Sequence, residues 1–372
     1  MRILMLSKAL VSGPYQKKCE ELALLPGVDL TVAVPISWRE PRVGELQLER
    51  RYTNGYRLEA LPIRFNGRHH LHFYPTLNRL VHEIRPDVFH IDEESFNLAT
   101  FQAMRVGIRA GARCCFYNYA NIDRHYPPPF SLFERYSFRH ATHALAANQE
   151  AAEIIRRHGY RGPLSIIPQF GVDPQLFAPT DNHTDVIYRA PAIFTIGYIG
   201  RLVPEKGIID LIDALTLLPE SVHLRLIGDG DQRAAIMARI AAHGLESRIE
   251  LKPWAADVPN ELRHLDALVL PSHTTRTWKE QFGRILVEAM SCAIPVVGSS
   301  SGEIPNVIAD AGLIFPEGDV HALANRLLQL LEDPNLRSSL ACRGRERVLA
   351  EYTQAALAQR YYTIYQSMLA SS

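Results

Sequence analysis

Ala267-Leu268-Val269-Leu270-Pro271-Ser272 is followed, after a short polar loop, by Glu280-Gln281-Phe282-Gly283-Arg284-Ile285-Leu286-Val287-Glu288. The four apolar residues suit a buried strand, Pro271-Ser272 ends it, and the run from Gly283 to Cys292 has helical spacing. Strand, loop and helix in that order form the half-unit of a parallel sheet. A helix start presents free backbone N–H groups and the positive end of the dipole, so Gly283 stands where an anion can be held. Glu280 lies just outside that start and Glu288 lies inside the helix. At about 1.5 Å per residue their backbones are ~10–12 Å apart. Carboxylates that share one scissile bond stand roughly 5–9.5 Å apart. The spacing suits a ligand with hydroxyls at both ends and a diphosphate between them, which is the shape of a nucleotide-sugar. Read alone, the stretch is explained equally well by an ordinary amphipathic helix.

The same alternation runs through the whole chain. In the first half, strands are expected at Ile3–Leu6, Leu30–Val34, Tyr56–Leu61, Val88–Ile91, Arg113–Tyr117, Thr142–Ala146 and Leu164–Ile167, with helices between them. A polar, proline-bearing stretch from Ala178 to Pro191 reads as a linker. Alternation then restarts with strands at Phe194–Gly200, Leu224–Ile227, Ile249–Leu251, Ala267–Leu270 and Ile294–Val297. Two α/β, doubly wound, Rossmann-like halves are therefore expected, with a ligand cleft at the carboxyl ends of their strands. The tail, Gln354–Ala370, reads as a long helix with one stripe of Tyr361, Tyr365 and Met368. Packing is the expected role of that stripe, on a helix crossing back to the first domain.

Composition narrows the function classes. The 372 residues are 47% hydrophobic and 22% charged, ordinary for a globular protein with two or three domains. A formal net charge of zero argues against a nucleic-acid partner. Residues 1–185 carry 22 Lys+Arg against 19 Asp+Glu, a mild basic bias that a solvated face explains. The five cysteines follow no metal or redox spacing, which fits a reducing cytoplasm. No run reaches the ~18 apolar residues of a membrane span, so the protein is expected to be cytoplasmic, with peripheral contact at the inner membrane face left open.

Ile199-Gly200-Arg201-Leu202-Val203-Pro204-Glu205-Lys206-Gly207 opens the second half. Arg201 offers a flat fork and Lys206 a point charge to an anion above the strand ends, and Gly200 permits close approach. Two cations and a helix start together would stabilise a diphosphate leaving group. Asp229 and Asp231, around Gly228 and Gly230, match an acid-x-acid metal pair. A strand-to-helix turn with Asp231 as N-cap is the better reading, and no metal site is expected. Val11-Ser12-Gly13-Pro14 is an open glycine turn whose backbone at Gly13 can approach the diphosphate or an acceptor, with a plain turn glycine as the nearly equal alternative. The ring-rich segment from Phe116 to Pro129 contains Asn121, Asp123 and His125 as candidate polar groups. Arg64 to His72 mixes bases and aromatics and reads as a solvated loop, with an acceptor phosphate or a bilayer surface as its alternative partner.

Taken together, these residues resemble the retaining glycosyltransferases of family 4, which have the GT-B fold. The features that carry the resemblance are Gly200-Arg201 with Lys206-Gly207, Gly228-Asp229-Gly230, and the acid pair around Phe282-Gly283. Ile167-Pro168-Gln169-Phe170-Gly171-Val172-Asp173 and Ser301-Gly302-Glu303-Ile304-Pro305 add to it. The resemblance implies an acceptor-side domain over 1–185, with 354–372 returning to it, and a donor-side domain over 186–353. It implies that Glu280 contacts the donor sugar and Glu288 the ribose. Arg201 and Lys206 would hold the diphosphate, with backbone from Gly283 through Arg284 and Ile285 to Leu286. Phe282 and Gly228 count with the donor-binding set. Many members of the family carry a histidine after the strand ending near Tyr117. Here the residues are Tyr119-Ala120-Asn121, so the histidine role does not carry over, and Asn121, His125 or neither takes its place.

The implied activity is front-face transfer of a hexose-type sugar from a UDP- or GDP-sugar, as in polysaccharide biosynthesis. The acceptor is sugar-containing, lipid-linked or a small molecule, and neither a cofactor nor an essential metal takes part. Alternatives are a GT-B-like epimerase or phosphorylase and a non-catalytic nucleotide-binding protein. The sequence leaves the donor base, the acceptor, the linkage and the oligomeric state open.

Overall fold

The computed structural model describes residues 1–40, 44–179, 193–254 and 257–370. From residue 180 onward, the expected linker lies outside the described residues. The chain divides into two compact units, Met1–Gly171 with Gln354–Ser372, and Val172–Thr353.

In the first unit β1 (Arg2–Leu6) and β2 (Asp29–Pro35) are followed by a small antiparallel ribbon of β3 (Ser37–Glu40) and β4 (Gly44–Gln47). The chain then supplies β5 (Arg57–Leu61), β6 (Val88–Ile91), β7 (Arg113–Asn118), β8 (His143–Ala146) and β9 (Leu164–Ile166). Without the ribbon these strands make one seven-stranded sheet, in the order β5-β2-β1-β6-β7-β8-β9. Every pairing in it is parallel. The apolar runs follow from burial on both faces. Along β1, Ile3 and Met5 enter one core, and Leu4 and Leu6 enter the other.

The helix Gln354–Ala370 covers the first of these cores. Its Leu357, Tyr361, Tyr365 and Met368 are buried with Ile3, Met5 and Leu22. Each such apolar side chain stabilises the unit by about 1.5–3 kcal/mol. The stripe also has a polar element. His90 of β6 lies with Nδ1 2.5 Å from Tyr365 Oη, and burial lowers the His90 pKa to about 4.

The second unit contains β10 (Phe194–Ile199), β11 (Val222–Ile227), β12 (Ile249–Lys252), β13 (Ala267–Leu270), β14 (Val296–Ser299) and β15 (Leu313–Phe315). They form a six-stranded sheet in the order β12-β11-β10-β13-β14-β15, again parallel throughout. Helices Ile208–Leu215, Arg233–His243, Val258–Arg263, Arg284–Ser291, Ile304–Ile308, Val320–Glu332 and Pro334–Glu351 accompany it. Residues 172–179 pack here, with Val172 in the core and its N–H donated to the Tyr352 carbonyl at 2.8 Å. Among the described residues no helix is long and apolar enough to cross a membrane.

Candidate active site

In an open parallel sheet a ligand crevice forms where neighbouring strands send their connections to opposite sides. In the second unit that switch lies between β10 and β13. The loop after β10 carries Gly200, Arg201 and Lys206, and the loop after β13 carries Ser272, Trp278, Glu280 and Gly283. The strand order thus brings together the two segments singled out in the sequence.

Their side chains meet at Glu280. Lys206, at the end of the short helical turn Pro204–Lys206, donates through Nζ to Glu280 Oε2 at 2.5 Å. Ser272 Oγ donates to the same oxygen at 3.0 Å. The side chains of Lys206 and Glu280 are only 14% and 11% exposed, so solvent screens the pair weakly. The sequence reading sends Lys206 to a diphosphate and Glu280 to a sugar, as separate contacts. In the structure the two are paired with each other, because opposite charges this shielded from water satisfy one another. Arg201 differs. Its backbone carbonyl accepts from Tyr198 Oη at 2.6 Å, while its side chain is exposed and makes no ion pair among the described residues.

The loop backbones pack closely. Gly302 has φ +54°, and a Cβ on it would stand 2.1 Å from the Glu280 carbonyl oxygen. A Cβ on Gly228 would stand 1.8 Å from the Gly200 carbonyl oxygen. Gly228 therefore lets the adjacent loops touch, whereas a Cβ on Gly200 would meet Tyr198 Oη at 2.8 Å. Gly283 is not the first helical residue but the N-cap of Arg284–Ser291, with φ +76° and no side chain to accept the first amides. Of the first amides, that of Leu286 is donated to the Gly283 carbonyl at 2.8 Å, so the expected contact of its backbone with a diphosphate is not open. The side chains beside them do other work. Leu286 is in the core, Ile285 and Phe282 pack against it, and the Phe282 ring meets Tyr352 edge-on at 5.7 Å.

Glu288 is buried, which raises its pKa, while Arg284 one turn earlier opposes that shift through an Nε–Oε1 contact of 3.0 Å. Asp229 accepts the N–H of Gly230 at 2.8 Å, a turn contact. Asp231 is not the helix cap expected of it. The helix begins at Arg233 with Gln232 in the cap position, because the turn extends one residue further.

Gly13, Asn121 and His125 belong to the first unit. The Gly13 N–H is donated to Glu49 Oε2 at 2.9 Å, so this amide has an internal acceptor where the sequence suggests an open turn. Asn121 is buried and His125 exposed in the loop after β7. Asp123 in that loop bonds His158 Nε2 at 2.9 Å, and His158 Nδ1 lies 3.1 Å from Glu134.

Sequence reasoning missed the residues at the first unit's own switch point, between β1 and β6. Lys8 is buried and ion-paired with Glu93, which also faces His72 Nε2 at 3.4 Å. Burial pushes the Glu93 pKa up, but Lys8 and His72 together outweigh it and hold the carboxyl at about 2. Glu94 is raised by burial to about 7, although its Oε1 accepts the N–H groups of Tyr119 and Ala120. The signal was present: Ser7-Lys8 and Asp92-Glu93-Glu94 put charge directly after two apolar strands.

The description of glycosyl transferases group 1 matches residues 191–347, and that of glycosyltransferase family 4 matches residues 19–176. N-acetyl-alpha-D-glucosaminyl L-malate synthase of Bacillus anthracis is 31% identical over 176 residues, covering 46% of this chain and 45% of its own. The lipopolysaccharide core biosynthesis glycosyltransferase LpsE of Rhizobium meliloti is 27% identical over 230 residues, covering 61% of this chain and 65% of its own. The chain thus spans less than two thirds of the length of these curated relatives. In structure, Anabaena HepE in complex with UDP superposes with a TM-score of 0.74 at 19% identity, covering 99% of this chain and 100% of that one. The fold is GT-B.

Proposed function

The chain resembles glycosyltransferase family 4 along both of its units, and from that premise we propose that it is a retaining glycosyltransferase. It moves a hexose-type sugar from a nucleoside diphosphate sugar to a sugar-containing, lipid-linked or small-molecule acceptor. The observation that carries this reading is the convergence of Lys206, Ser272 and Glu280 at the β10/β13 switch, beside the uncapped helix start at Gly283. UDP in the HepE complex supports the donor class.

In this mechanism the leaving diphosphate meets Arg201, Lys206 and the amides of Arg284 and Ile285, the Leu286 N–H being donated to the Gly283 carbonyl at 2.8 Å. Negative charge grows on it as the sugar–oxygen bond breaks, so contacts with it strengthen in the transition state and lower the barrier. Glu280 turns toward the sugar hydroxyls and aligns the oxocarbenium-like carbon, and Glu288 receives the ribose. The acceptor attacks from the face the diphosphate leaves. The cationic side chains supply the charge a metal would bring, so no metal is essential.

The test is a thermal-shift panel of UDP- and GDP-sugars followed by product mass spectrometry with acceptor extracts. The expected result is stabilisation by one nucleotide class and a product heavier by one sugar. Stabilisation without any transferred mass would favour a non-catalytic nucleotide-binding protein.

A further inference from the structure

Lys206 is held from two sides by one loop. Its ammonium lies 5.0 Å from the centroid of the Trp278 ring, within cation–π range, and bonds Glu280 two residues further along. The loop fixes Trp278 through its backbone. The Trp278 N–H donates to Thr275 Oγ1 at 3.0 Å, and its carbonyl accepts the Thr275 N–H at 2.8 Å. Trp278 is half-buried, and Thr277 N–H is drawn to the same Thr275 oxygen at 3.3 Å. The closed turn therefore presents the indole at a set position beside the lysine.

An ammonium has three N–H donors and no acceptor. While Glu280 holds one, the Trp278 ring face of the same loop also attracts the cation. If Glu280 turns to a sugar hydroxyl, Lys206 loses its carboxylate, and a four-carbon side chain has many other rotamers to adopt. A ring face attracts the charge without neutralising it, which leaves all three protons for phosphate oxygens.

We infer that Trp278 is a positioning residue that holds the Lys206 ammonium on its ring face for the pyrophosphate while Glu280 exchanges it for the donor sugar. This inference rests on the glycosyltransferase reading of the same site.

The test measures binding of UDP, GDP, UMP and GMP by calorimetry to the full chain and to Trp278→Ala, Trp278→Phe, Lys206→Ala and the Trp278→Ala/Lys206→Ala pair. Melting curves verify folding. Trp278→Ala should weaken the preferred diphosphate roughly tenfold, while Trp278→Phe, which keeps a ring face, should stay within about threefold of the parent. The monophosphate should change little, and Trp278→Ala should add no further loss once Lys206 is gone. Equal loss for mono- and diphosphate, an undiminished diphosphate affinity, or additive losses in the pair would overturn the inference. If the parent chain binds neither UDP nor GDP, the glycosyltransferase reading itself falls, and the inference with it.

Discussion

The N–H of Glu303 donates to the carbonyl of Glu280 at 3.0 Å, and Gly302 makes that approach possible. The loop after β14 thus supports the backbone of the residue at the centre of the site. Gly302→Ala combines a positive φ with a methyl group inside the Glu280 carbonyl. It should cost about 2–4 kcal/mol of stability, read by chemical denaturation, and should lower turnover. An unchanged midpoint with full turnover would contradict the supporting role.

Glu280→Ala should reduce transfer by about 100-fold or more, the scale of losing a group that acts in the transition state. Nucleoside diphosphate affinity should hold within about threefold, because the substitution frees Lys206 for the phosphates. The paired measurement is product formation and calorimetric binding. Undiminished turnover would refute the role of Glu280.

Glu94 makes the first unit sensitive to pH. Its folded pKa of about 7 stands above the ordinary carboxylate value because of burial. The folded chain binds this proton more tightly than the unfolded chain. The resulting stability is fully present below the unfolded pKa and is lost as pH rises through the folded one. Thermal melts from about pH 5 to pH 8 should show falling stability, and Glu94→Gln, which is neutral throughout, should flatten that trend by roughly 2–3 kcal/mol. The same slope in the variant would assign the loss to another group.

Treatment with EDTA should leave transfer intact, since Arg201 and Lys206 carry the charge opposite the diphosphate. Complete loss, restored by Mg²⁺, would revive Asp229 and Asp231 as ligands.

The legible part of the fold was the part written locally. Val88-Phe89-His90-Ile91 and Ala267-Leu268-Val269-Leu270 announce strands covered on both faces, and the observed spans of these two strands match. The tail stripe of Tyr361, Tyr365 and Met368 is buried as its spacing implies. The ribbon around Trp38 was not legible, because Ser37-Trp38-Arg39-Glu40 is short and mostly polar and pairs only with the equally short Gly44–Gln47, outside the main sheet. Long-range partners were hidden for a different reason. Lys206 and Glu280 lie 74 residues apart, and only the β10–β13 pairing brings them into contact. Gly13 looked like an open turn because Glu49, which takes its N–H, lies 36 residues away. Chemistry could be read residue by residue, whereas pairing required the strand order.

The most direct test is a crystal structure of the chain soaked with UDP and, separately, GDP. The proposal predicts one nucleotide with its phosphates in hydrogen-bond reach of the Arg201 and Lys206 side chains and the backbone amides following Gly283, and its ribose at Glu288. A nucleotide bound away from the loops after β10 and β13, with Lys206 still closed on Glu280, would contradict it.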